Sequence, residues 1–243
     1  MLEPMTVELP PMGRGGKPRL LAVGVRPCGC REAERARAER EAQEAAEAAA
    51  REAAARRRAH ERCGIPPKFL DAPAPDAATV SKALAGESFY VHGPVGTGKT
   101  SWAAGLAKAV RDAGRSVAFA SSSRIKGELF GTFGPSRESE EALFARLRSP
   151  HLLVLDDLGK EPASRAVAAM LYRVMDERDG LMRPVAVTSN FSPQDLYVRL
   201  CGCGDESVAD SIASRIVGMC GGNVIAMGGR DMRTLPEAGK GKR

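Results

Sequence analysis

The residues best suited to chemistry lie in one octet, Gly93-Pro94-Val95-Gly96-Thr97-Gly98-Lys99-Thr100, which fits the pattern G-x-x-x-x-G-K-T. Glycines at 93, 96 and 98 allow backbone conformations and close approaches that a Cβ would block, so successive N–H groups can turn inward around phosphate oxygens. A helix starting at the end of such a loop adds the positive end of its dipole. Lys99 would reach the β and γ phosphates, and the Thr100 hydroxyl would complete the coordination of a magnesium ion that keeps several of its waters. With Ser101 these residues form a candidate nucleotide-binding segment, preceded by an apolar run and followed by helix-forming sequence, as a phosphate-binding loop requires.

Three further groups extend this chemistry. His151-Leu152-Leu153-Val154-Leu155-Asp156-Asp157 is a buried-strand run ending in two carboxylates, the pattern of a Walker B strand. Asp156 would hold magnesium through water, and Asp157 would polarise the water that attacks the γ phosphate. Val185-Ala186-Val187-Thr188-Ser189-Asn190 is a second apolar strand with a polar end. Asn190 would orient the attacking water, since ligands of open α/β sheets bind at that edge. Arg215, in the amphipathic helical stretch 209–217, would project toward a neighbouring subunit and stabilise charge on the transferred phosphoryl group in trans.

These residues need a scaffold, and the chain supplies alternating elements. Strands are expected at 88–92, 117–121, 151–156, 184–189 and 223–228, with helices at 99–113, 123–131, 137–148, 162–179, 193–200 and 206–218. Short β-rich runs separated by helices give an α/β fold with a parallel sheet covered on both faces. Residues 1–30, rich in Pro and Gly, read as a mostly disordered lead-in with a short strand at Leu20–Val25. Residues 31–63 read as one long Ala/Glu/Arg helix without a Leu or Ile stripe, a candidate partner-binding arm. A linker over 64–82 leads into the core at 83–229, and 230–243 read as a basic disordered tail.

Composition bounds the partners. The formal charge of +6 is compatible with nucleic acid or with solubility alone. Arg124, Lys126 and the tail are candidate DNA contacts, but only 5% of residues are aromatic. DNA binding would therefore rest on phosphate contacts rather than base stacking. No apolar run approaches the roughly 20 residues of a membrane span, and no secretory signal is evident, so a soluble cytoplasmic protein is expected. The six cysteines lack the density of a disulfide scaffold and read as free thiols. Cys28, Cys30, His60 and Cys63 have the chemistry of zinc ligands, but a continuous helix between them, roughly 48 Å long at 1.5 Å per residue, keeps its ends apart. Cys201, Cys203 and Cys220 read as loop thiols.

The order of these motifs resembles the AAA+ ATPases of the DnaC/IstB type. The phosphate loop, the strand at 152–159, Thr188-Ser189-Asn190, Ala213-Ser214-Arg215-Ile216 and Gly229-Arg230-Asp231-Met232-Arg233 carry the resemblance, which spans 64–233 and includes Gly64-Ile65-Pro66. In particular the chain is similar to bacterial or phage helicase loaders. The resemblance implies Walker A, Walker B and sensor 1 roles for Lys99, Thr100, Asp156, Asp157 and Asn190, and an arginine finger at Arg215. It implies a five-stranded sheet of order 5-1-4-3-2, ATP and Mg2+ as cofactors, and a homo-oligomer formed through the ATPase domain. An N-terminal segment gripping a replicative hexameric helicase and single-stranded DNA contacts are implied as well. An IstB-like transposition helper and a nucleotide-gated adaptor with little hydrolysis are the alternatives. Fewer than thirty residues follow Arg215, too few for the helical lid of a full AAA+ module, which leaves Arg233 as the candidate for a sensor 2 equivalent and suggests weak activity in isolation.

Overall fold

Side chains of a strand alternate between faces, so a sheet covered on both sides needs near-continuous apolar strands, and the parallel strands here are apolar up to the polar residues at the carboxyl ends of four of them. The computed structural model describes residues 2–9, 19–27, 31–131, 139–160 and 164–229. It divides into two units, Met1–Ala55 and Arg56–Arg243.

In the first unit β1 (Leu2–Leu9) and β2 (Arg19–Pro27) pair antiparallel, from Leu2 with Pro27 to Leu9 with Arg19. Two strands are thus described within the lead-in expected over 1–30. The Pro and Gly residues behind that expectation concentrate in 10–18, outside the described residues, and the strand at Leu20–Val25 is the middle of β2. Then α1 (Arg31–Arg62) begins with Glu32 and Glu34 and ends with His60 and Arg62, charges that suit its dipole. Over 34–58 it is exposed all round, and pairs such as Arg35–Glu39 at 3.0 Å lace its surface. Its last turns belong to the second unit: His60 is buried and its Nε2 hydrogen-bonds Asp112 Oδ1 at 2.7 Å.

The second unit continues through α2 (Ala77–Ala85), β3 (Phe89–His92), α3 (Lys99–Asp112), β4 (Val117–Ser121), α4 (Ser122–Gly131) and α5 (Glu140–Arg148). It goes on with β5 (Leu152–Leu158), α6 (Arg165–Gly180), β6 (Val185–Ser189), α7 (Pro193–Cys201), α8 (Glu206–Cys220) and β7 (Val224–Ala226). The sheet order is β4-β5-β6-β3-β7, all parallel. Counted from β3 as the first core strand and read from the β7 edge, this is 5-1-4-3-2, as the resemblance implied. The separate β1–β2 hairpin is the addition.

Alternation sorts the strands into two cores. Tyr90, Leu153, Leu155, Val185 and Val187 pack with α4 to α8, while Phe89, Phe119, Leu152, Val154 and Ala186 pack with α3 and residues 65–72. The outer edge of β4 is covered by the segment after α1: Phe119 N–H donates to Cys63 O at 2.7 Å. Gly64, at φ 89°, makes this approach possible, because a Cβ there would lie 2.4 Å from Phe119 O.

Inside the stretch read as a linker begins α2, whose start is set by Asp76 accepting from Thr79 N–H at 2.9 Å. The preceding Ala/Pro run hid this cap. The expected first residues of α5 and α6, 137–138 and 162–163, lie outside the described residues, as do 230–243 with Arg230 and Arg233. Among the described residues no helix is long and apolar enough to cross a membrane.

One buried charge stitches the layers. Arg178 of α6 is fully buried, and its guanidinium donates to the carbonyls of Leu147, Arg148, Pro150, His151 and Pro184 at 2.6 to 3.1 Å. Burial pulls its pKa down to about 9.

Candidate functional site

Residues 93–98 must reverse the chain between the end of β3 and the start of α3. Gly96 and Gly98 do so in left-handed conformations, φ 84° and 91°. Gly93 serves a different end. A Cβ on it would fall 1.9 Å from Met227 O, while Met227 N–H donates to His92 O at 2.7 Å, so Gly93 lets the end of β7 close against the loop.

The first intrahelical bond of α3 runs from Trp102 N–H to Gly98 O at 2.9 Å, so the amides of Lys99, Thr100 and Ser101 precede the ladder and are open to an anion. Lys99 is 5% exposed, and its ammonium donates to Gly93 O and Pro94 O, both at 2.7 Å. Thr97 Oγ1 donates to Pro94 O at 3.0 Å. The loop is thereby folded around its own lysine before any ligand enters.

The carboxylates of β5 depend on an irregularity. From Leu155 to Leu158 β5 takes one residue more than β6 takes from Val187 to Ser189. Asp157 sits in this bulge at φ 57°, a conformation that costs free energy for a residue with a side chain. The two side chains open on different cavities, while the fully buried Thr188 hydroxyl holds both residues: it donates to Asp156 Oδ1 at 2.7 Å and accepts from the Asp157 backbone N–H at 2.9 Å. Burial pushes the Asp156 carboxyl above the usual carboxylate range, and hydrogen bonds from Thr188 and Thr100 oppose that rise.

A cavity of about 360 Å³ collects much of this chemistry. Of the expected residues, Val95, Gly96, Gly98, Lys99, Thr100 and Ser101 line it from the loop and α3, and Asp157 and Asn190 line it from the ends of β5 and β6. Gly93, Pro94 and Thr97 shape the loop instead of the wall. Asp156 reaches the cavity through Thr100 and itself opens on a neighbouring cleft of about 430 Å³ with Ser121 and Arg124.

Arg215 is elsewhere. Its guanidinium lies 2.5 Å from Asp176 Oδ1 and 5.0 Å from the centre of the Tyr172 ring, both on α6. Arg124 is engaged by Glu128 at 2.9 Å.

Three contributors escaped sequence reasoning. Lys68 and Phe69, in the 3-10 turn Pro67–Phe69, form a wall opposite the loop, and the Gly64-Ile65-Pro66 segment just before them was the available signal. Lys160 also lines the cavity, with its Nζ 3.2 Å from Asp157 Oδ2. Its only sequence signal is its place three residues after Asp157.

Two of the four candidate zinc ligands are described, and each has another partner. His60 is committed to Asp112, the Cys63 thiol donates to Ala59 O at 3.2 Å, and Cys28 and Cys30 lie outside the described residues. Among the described residues no cluster of three His, Cys, Asp or Glu is present. Cys203 and Cys220 belong to the core rather than to loops, and burial pushes the Cys220 thiol up to about 12.

The arrangement fits a nucleoside triphosphate with magnesium. Open helix amides and an ammonium suit phosphate, and the Thr100 hydroxyl and Asp156 carboxylate are hard oxygen donors side by side.

A profile of the family described as IstB-like ATP binding protein matches residues 74–237. A Mycobacterium tuberculosis protein described as an ATP-binding protein in an insertion sequence is 33% identical over 151 residues, 62% of this chain and 58% of that one. The replicative helicase loader DnaC of Escherichia coli is 29% identical over 109 residues, 45% of this chain and 44% of that one. The chain thus spans about half the length of the curated relatives it matches. Among solved structures, DnaI superposes with TM-score 0.53 at 25% identity, covering 64% of this chain and 81% of that chain. The DnaC helicase loader superposes with TM-score 0.54 at 17% identity, covering 67% of this chain and 100% of that chain, a likeness of fold. The chain belongs to the IstB-like ATP-binding protein family and has the AAA+ P-loop fold.

Proposed function

We propose that the protein binds ATP with Mg2+ in the 360 Å³ cavity, hydrolyses it, and uses the nucleotide state to assemble with a partner machine on DNA. The observation that carries this reading is the convergence of the α3 amides and Lys99 with Asp157 and Asn190, from the ends of two neighbouring strands, on one cavity. In this reading Lys99 and the amides bind phosphate, and Thr100 and Asp156 hold the magnesium ion, which supplies a Lewis acid against the phosphate charge. Asn190 orients a water. The water oxygen bonds to the γ phosphorus, the bond to the β–γ bridging oxygen breaks, ADP leaves, and Asp157 accepts the water's proton. Arg215 of one subunit acts in the site of its neighbour, which requires it to leave Asp176.

Two partners fit. In the first reading the protein is a cytoplasmic loader of a replicative hexameric helicase onto single-stranded DNA. It acts as a homo-oligomer through the ATPase domain, with residues 31–63 holding the helicase and Arg124 and Lys126 contacting DNA. The likeness to DnaC supports it. The second reading, an ATPase helper of transposition, is favoured by the longer and closer match to the insertion-sequence protein, and on extent of similarity it has the stronger support. The test is to purify the full chain with Mg-ATP from its host and identify what accompanies it. A replicative helicase supports the first reading. Stimulation of a transposase without helicase binding supports the second. If neither is seen with DNA present, a role in assembling a DNA machine is contradicted.

A further inference from the structure

We propose that Lys160 is a positioning residue for Asp157, an inference that rests on the ATPase reading of the cavity. Asp157 is a short carboxylate carried on a strand bulge, and its side chain is about one-third exposed. Its backbone is fixed by the Thr188 hydroxyl, but that bond leaves the carboxylate free to rotate about χ1 and χ2. Lys160 supplies the missing restraint. Its ammonium binds Asp157 Oδ2 at 3.2 Å, and a carboxylate held through one oxygen keeps the other for a water.

The lysine is itself held in place. Lys160 N–H donates to Asp157 O at 3.3 Å, closing a turn in which Gly159 takes φ 83°. A Cβ on Gly159 would lie 2.9 Å from Leu196 Cδ1 and 3.2 Å from Phe191 Cδ2, so the turn is pressed against α7 and the residue after Asn190. Arg199 of α7 spans the same turn. It donates from Nε to Gly159 O at 3.3 Å and from Nη2 to Lys160 O at 3.4 Å, while its guanidinium stands 4.9 Å from the centre of the Phe191 ring. The backbone of Lys160 is thus fixed from both sides, with its side chain lining the cavity beside Lys99, Thr100 and Asn190.

The side chain of Lys160 is 62% exposed, so its pair with Asp157 contributes little to folding. Its effect falls on the orientation of the base, and a misplaced base lowers turnover without weakening ground-state binding.

The experiment measures Mg-ATP turnover and binding of a fluorescent ATP analogue for the full chain carrying Lys160→Ala, Lys160→Gln or Lys160→Arg, with DNA present. Lys160→Ala and Lys160→Gln should lower kcat about tenfold with KM and Kd within about threefold of wild type. Lys160→Arg should recover most of kcat because it restores a cation at Oδ2. All three should melt within about 2 °C of wild type. A kcat within twofold of wild type in Lys160→Ala, a loss confined to KM, or an Arg variant as slow as the Ala variant overturns the proposal. A wild type that binds the analogue but releases no phosphate refutes the ATPase reading itself, and the proposal with it.

Discussion

Thr188→Val removes one hydroxyl from the point where β6 meets the two acidic residues of β5, at nearly constant shape. The hydroxyl is fully buried, donates to Asp156 Oδ1 at 2.7 Å and accepts from Asp157 N–H at 2.9 Å. Losing a hydrogen bond to a charged acceptor costs about 1.5–3 kcal/mol, and stranding a buried N–H costs about 1–3 kcal/mol. Protonation of Asp156, which burial already favours, relieves part of the first cost, and the valine methyl regains a little apolar burial. The expected net loss is about 3 kcal/mol, or roughly 6–12 °C in Tm for a unit of this size. Thr188→Ser keeps the hydroxyl and loses one buried methyl, about 1 kcal/mol. Urea denaturation of both variants without nucleotide, checked by thermal melts, separates the two effects. A valine variant no less stable than the serine variant would refute the assignment of this hydroxyl as the tie between the Asp156 carboxylate and the Asp157 backbone.

Asp156→Asn tests the buried charge by its pH dependence. Folding raises the Asp156 pKa above its unfolded value of about 3.9, so the stability this group contributes is complete below that value and is lost as pH rises through the folded pKa. Without nucleotide at pH 7, Asp156→Asn should therefore be more stable than wild type by about 0.5–2 kcal/mol, and the gain should shrink as pH falls toward 4. Melts across that range check the sign, and a gain that grows on acidification contradicts it. Arg178→Met deprives five carbonyls of a buried donor and should cost about 3–5 kcal/mol in urea unfolding. Mixing Arg215→Ala subunits with Lys99→Ala subunits should restore phosphate release that neither has alone. A mixture as inactive as its parts counts against action in trans.

What could be read from the sequence was chemistry confined to consecutive residues. Three glycines, a lysine and a threonine within eight residues mark 93–100 as a candidate phosphate loop, and Asp156 and Asp157 stand out at the end of an apolar strand. The order of the five core strands followed from the resemblance these motifs carry. What could not be read depends on chain separation or on small backbone irregularities. Lys68 and Phe69 reach the cavity only because Gly64 lets the segment after α1 lie along β4. The bulge at Asp157 has no glycine within it to announce it. The β1–β2 hairpin was hidden by averaging its strands with the Pro- and Gly-rich residues between them. Arg178 shows the limit of reading exposure from residue type, since an arginine among acids proved fully buried.

The central claim is that Asp157 accepts the proton of the attacking water in a cavity that binds ATP without it. Phosphate release and nucleotide affinity of wild type and Asp157→Asn, measured on the full chain with Mg-ATP, DNA and the partner protein, test it most directly. The variant should bind within about threefold of wild type and release phosphate at least about 100-fold more slowly. Equal turnover in the two proteins would contradict the account.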